Sequence, residues 1–224
     1  MNQLPSLKSR LSSFRPLSLL HILLWGVLSV GYGVAFYELI ERVLRSAMHL
    51  QYVLFGMGAY LLLWFAVLRH RGRFWRTFEH ELTHAIFALL SGHRVQYFRA
   101  SEDEGGSIHH VGKTENNFLI SLAPYFFPTS SVVPLILLFL VSPPVVPYVE
   151  FAVGMTLVYH IVSTLDEARP RQPDLKEHGL VFSYAFIALM NFVCLGSVLA
   201  MTGFGAEAGW NFLVRGLEVL YPAV

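Results

Sequence analysis

His80, Glu81 and His84 stand together in the string HELTH. Histidines four apart share one face of a helix, about 6 Å apart along its axis, so both imidazoles can reach one ion. Zinc accepts neutral imidazole nitrogen, and its catalytic sites keep one position open for water. Glu81, beside the first histidine, is then placed to take a proton from that water. A third protein ligand must come from elsewhere, because a metzincin would need a glycine at Phe87 and a histidine at Leu90. The acids and imidazoles that could supply it are Glu150, His160, Asp166 in STLDEARP and Asp174 in RQPDLKEHGLVFS. Glu102 lies in the acidic string EDEGG, which reads as a solvated hairpin tip. Asp174 is the better placed of these, at the mouth of the last long apolar helix, although Asp174 with Glu177 also fits a capping box. Glu79 falls before the motif and reads as a solvated or salt-bridged side chain.

The elements that must position these groups are apolar. Of the 224 residues, 54% are hydrophobic and only 14% charged, and the mean hydropathy is +0.52. Soluble domains run nearer a quarter charged, so the composition points to a membrane protein. The net charge of +1 suggests no nucleic-acid partner, and the single Cys194 forms no internal disulfide. Apolar stretches near bilayer-spanning length run from Leu17 to Tyr37, Tyr52 to Leu68, Phe118 to Val141, Val146 to Leu165 and Leu180 to Phe204. The first is too long for the core of a signal peptide and reads as a retained span. Ala206 to Tyr221 reads as an amphipathic tail on the membrane surface. The arginine-rich 69–76 segment, with Lys8, Arg10 and Arg15 two spans earlier, is expected on the cytoplasmic side.

A helix over Thr77 to Ser91, roughly 22 Å long, would enter from the arginine-rich side with HELTH a short way in. For HELTH and Asp174 to share one depth, the stretch from Phe118 to Val141 must break into half-spans. Pro124, Pro128 and Pro134 provide for that. HRVQYFRAS and SIHHVGK flank EDEGG as a β-hairpin with Gly105 and Gly106 in the turn. One of its strands would lie beside the metal and could pair with an extended substrate. Because strand neighbours point to opposite faces, at most one of His109 and His110 can face the metal. His70, His93 and His178 read as interfacial.

HELTHA at the head of an apolar helix, a following hairpin with GG, LAPYFFP and a late Asp before another membrane helix resemble the site-2 protease family of intramembrane zinc metallopeptidases. The resemblance spans roughly Phe74 to Ser183. It implies His80, His84 and Asp174 as ligands of one Zn2+ and Glu81 as general base. The family's L-D-G string is absent, its nearest counterparts being TLDE and QPDL, and LAPYFFP lacks the Asn of the usual GPxxN pattern. The expectation is an all-α polytopic membrane protein with about five to six transmembrane or half-spanning helices and a small β-hairpin near the active site. It would be a single membrane domain: two spans over 1–70, a metallopeptidase-like core over 74–183, and a last span with the tail over 184–224. It would hydrolyse transmembrane protein substrates within the lipid bilayer. The alternatives are a non-catalytic scaffold that retains the fold, or a membrane metalloenzyme acting on a different substrate class. No feature of the sequence dictates an oligomeric state.

Overall fold

The computed structural model describes residues 16–69, 73–101, 105–112 and 117–221. Lys8, Arg10, Arg15, His70 and Glu102 lie outside the described residues. Nine helices and one two-stranded sheet make up the described chain, with short 3-10 or π turns between some of them. The long helices are α1 (Pro16–Arg45), α2 (Gln51–Leu63, continued by a π-helical turn to Leu68), α6 (Val146–Glu167) and α8 (Leu180–Phe204). Among the described residues, these give four segments long and apolar enough to cross a membrane. With backbone groups satisfied inside each helix, they are the stable form of such segments in lipid. The first span runs to Arg45, eight residues beyond the expected Tyr37.

The proline-rich stretch is broken. α4 (Phe118–Leu122) begins at Asn117, whose side chain accepts the Leu119 N–H at 3.0 Å. It continues as a 3-10 turn to Tyr125, and α5 (Thr129–Leu138) leaves at 74° to that first half. Pro128 accounts for the break: it donates no backbone hydrogen bond, and it disfavours helical geometry in the residue before it.

α3 (Arg73–Leu90) carries that motif. It starts four residues earlier than the expected Thr77. Glu81, His84, Ala85 and Ala88 are buried along one face, while Leu89 and Leu90 face outward. It ends where Gly92 adopts a φ of +75°, a left-handed conformation that suits glycine. β1 (Arg94–Ser101) and β2 (Gly105–Val111) then pair antiparallel, with a bulge at Gln96. The sheet folds back along α3, with the rings of Phe78 and Phe98 5.7 Å apart, edge to face. Gly105 and Gly106 do not form a turn but are the first residues of β2, opposite Ser101 and Ala100 of β1.

Trp25 of α1 packs against Phe182 and Phe186 of α8, at centroid separations of 4.3 and 4.8 Å. Such aromatic pairs contribute about 0.5–1.5 kcal/mol each beyond area burial. The tail, α9 (Ala206–Glu218), turns back and packs one face against α1 and α8. Phe212 is buried, the Tyr32 hydroxyl donates to the Leu213 carbonyl at 3.0 Å, and Gly31 of α1 lies against Gly216. Small residues at the contact let the helix backbones approach closely enough to hold the tail in the bundle.

Candidate active site

HELTH meets the short helix α7 (Pro173–Glu177) at one end of the bundle. Asp174 Oδ2 lies 3.5 Å from His80 Nε2 and 3.7 Å from His84 Nε2. One ligand atom from each of the three residues lies within 4.8 Å of the others. Tetrahedral zinc with bonds near 2.1 Å sets its ligand atoms roughly 3.4 Å apart, so the spacing fits that ion.

The other imidazole nitrogens support the same donor set. His84 Nδ1 is 2.7 Å from the Ile120 carbonyl oxygen, which only accepts, so Nδ1 carries the proton. His80 Nδ1 likewise donates to Glu167 at 2.9 Å. Each Nε2 then faces the Asp174 carboxylate: with a proton it donates to that carboxylate, and without one it presents a lone pair to a cation held between the three residues. Ligating histidines are commonly held by such donations from the second nitrogen. Burial pushes the Asp174 carboxyl up, but the pull of His80 and His84 more than offsets it and holds the carboxyl below the usual carboxylate range.

A cleft of about 540 Å³ opens on these residues. α3 contributes His80, Glu81 and His84 to it, α7 contributes Asp174, and β2 contributes Ser107 and His110. Glu81 is buried, and Gly106 of β2 lies against its carboxylate so closely that any β-carbon there would collide with it. Of the adjacent strand residues, His110 lines the cleft and His109 does not. His110 Nδ1 sits 2.9 Å from Nδ1 of His93, which is buried within the protein. Burial, and then the neighbouring His93, push His110 below its ordinary value.

The other candidates lie elsewhere. Asp166 forms ion pairs with Arg76 and Arg169. His160 is buried and hydrogen-bonds Asn191 at 3.2 Å. Glu150 sits 16 residues before Asp166 on α6, about 24 Å away along the axis. Asp174 does not cap the last long helix. It lies inside α7, whose N-cap is Gln172 with no side-chain cap. Glu79 is not solvated: it is only partly accessible, and its carboxylate accepts the Ser130 N–H at 2.8 Å, at the start of α5.

Three contributors were not read from the sequence: Glu167, Tyr125 and Gly106. Glu167 adjoins Asp166 in STLDEARP, so an acidic pair at the end of an apolar stretch was its only signal. Tyr125, in LAPYFFP, donates its hydroxyl to Asp174 Oδ2 at 2.9 Å.

A family model described as Peptidase M50B-like matches residues 53–166, just over half of the chain. The chain belongs to the site-2 protease family. It is thus an integral membrane protein of a zinc-dependent metallopeptidase family. The matched segment includes His80, Glu81 and His84 and stops short of Asp174. No curated protein and no solved structure matches the chain.

Proposed function

We propose that the protein is an HExxH-type zinc endopeptidase that cuts membrane-protein substrates within or beside their transmembrane segments. The observation that carries this is the convergence of two α3 imidazoles and Asp174 at zinc-compatible spacing, with Glu81 in the same cleft. His80, His84 and Asp174 would hold one zinc per chain. When bound there, zinc supplies Lewis acidity that acidifies water and polarises a carbonyl. Glu81 takes the proton from the attacking water and delivers it to the amine nitrogen that leaves. Glu167 and the Ile120 carbonyl keep Nδ1 of each imidazole protonated and the rings oriented.

The substrate would enter extended, because helical peptide bonds are shielded from attack. β2 supports this reading: its residues line the cleft, and among the described residues its only strand neighbour is β1. An added strand could pair along the remaining edge. The arginine-rich 69–76 segment would face the cytoplasm. Arg76 pairs with Asp166 near Arg169 and Arg171 at the same end of the bundle, which concentrates cationic residues there.

The test is reconstitution with a single-span substrate, comparing wild type with Glu81→Gln and measuring zinc per chain. One zinc per chain with cleavage by wild type alone is the expected result. Zinc-free wild-type protein would favour the scaffold. Zinc-loaded protein that cuts no peptide would favour a metalloenzyme acting on another substrate class.

A further inference from the structure

α7 has five residues, too few to be stable by itself. The position of Asp174 therefore depends on what surrounds it. Leu175, the next residue, is fully buried, and the Ser183 hydroxyl donates to its carbonyl at 3.0 Å. These contacts anchor the α7 backbone but leave the carboxylate free to rotate.

Tyr125 restrains it. The side chain is fully buried at the end of the first half of the broken span. Its hydroxyl donates to Asp174 Oδ2 at 2.9 Å, and its ring stands edge-on to the His80 ring, with centroids 5.2 Å apart. It therefore touches both the acid and one of the two imidazoles. The same Oδ2 faces both imidazole Nε2 atoms, so one oxygen lone pair engages the phenol while another stays directed at the imidazoles.

Tyr125 is itself held by polar contacts within the bundle. Its backbone carbonyl, left without a helical partner by the break before Pro128, accepts from Asn191 Nδ2 of α8 at 2.8 Å and from the Thr164 hydroxyl of α6 at 3.3 Å. Asn191 also donates to the Ile187 carbonyl at 2.9 Å, which fixes its amide nitrogen toward carbonyls and leaves Oδ1 for His160 at 3.2 Å. His160 and Asn191 thus form a buried polar link between two spans that ends on Tyr125.

We propose that Tyr125 is a positioning residue for the third zinc ligand: its hydroxyl sets the rotamer of Asp174, and Asn191 sets the backbone of Tyr125. This rests on the zinc-site reading above. Removing the hydroxyl leaves ring packing in place but frees the carboxylate, and loss of such an outer hydrogen bond typically weakens metal binding about 10- to 100-fold.

The experiment uses the full chain in detergent. Zinc affinity is measured by competition with a chelator for wild type, Tyr125→Phe, Asn191→Ala and Asp174→Ala, and Co2+ is substituted to read ligand geometry from its visible absorption. Thermal unfolding of the zinc-free forms monitors folding. Tyr125→Phe is expected to bind zinc about 10- to 100-fold more weakly with an altered Co2+ spectrum, while its zinc-free form unfolds like wild type. Asn191→Ala is expected to shift the spectrum in the same direction by less. Wild-type affinity and an unchanged Co2+ spectrum in Tyr125→Phe, with Asp174→Ala defective, would overturn the positioning role and leave the zinc site standing. Wild-type zinc binding in Asp174→Ala would overturn both.

Discussion

Gly106 lies against the Glu81 carboxylate, and the contact leaves no room for a side chain. The glycine pair that looks like a hairpin turn is instead a point where strand backbone must approach an acid on a helix. Gly106→Ala is expected to keep zinc and lose activity. Displacing a reacting group by about 1 Å can cost roughly 100-fold in rate. Zinc content and turnover measured on one preparation check this, and an active alanine variant would remove the proposed role of the contact.

Glu81→Gln tests the proton transfer directly. The amide cannot accept the proton, and loss of a positioned general base costs about 100- to 10,000-fold. Zinc should remain at the wild-type level, because Glu81 is outside the donor set. A Gln variant with wild-type turnover would exclude Glu81 as base.

The third ligand is separable from its rivals by metal analysis. Asp174→Ala is expected to lose zinc, whereas Asp166→Asn and Glu150→Gln should retain it. Asp166 is engaged by Arg76 and Arg169, and Glu150 lies toward the other end of α6. Asp166→Asn should instead loosen the contact between α3 and α6, seen as a lower unfolding temperature.

Glu79 ties α3 to the second half of the broken span through the Ser130 N–H. The Thr83 hydroxyl meets that of Thr129 at 2.6 Å beside it. Glu79→Ala leaves a helix N-terminal donor without its partner, at a cost of about 1–3 kcal/mol. Thermal unfolding in detergent is expected to fall accordingly, with the Glu81 chemistry retained at low temperature. Unchanged stability would show that Ser130 finds another acceptor.

Acid should strip zinc by protonating the imidazoles rather than Asp174. His80 and His84 hold the Asp174 carboxyl below its usual range, so it stays ionised as the falling pH protonates the imidazoles. Metal ligands must be deprotonated at the coordinating atom, so affinity falls with pH. Zinc retention measured against pH should fall over the histidine range. A midpoint in the carboxylate range would contradict this.

Local pattern made much of this protein legible. Apolar length marked the four spans, three prolines marked the broken one, and the i, i+4 spacing of His80 and His84 marked a shared helix face. Each of these follows from residues within a few turns of one another. What the sequence left open were relationships across long stretches of chain: Asp174 against its rivals, Glu167 behind His80, Tyr125 behind Asp174, and Gly106 against Glu81. His80 and Glu167 are 87 residues apart, and Tyr125 and Asp174 are 49. No periodicity encodes such meetings, because side-chain spacing reports the face of its own element and not the partner that covers it. The tail shows the same limit: its amphipathic pattern called for a boundary, and only the tertiary structure showed that α1 covers part of one face, where Gly31 lies against Gly216.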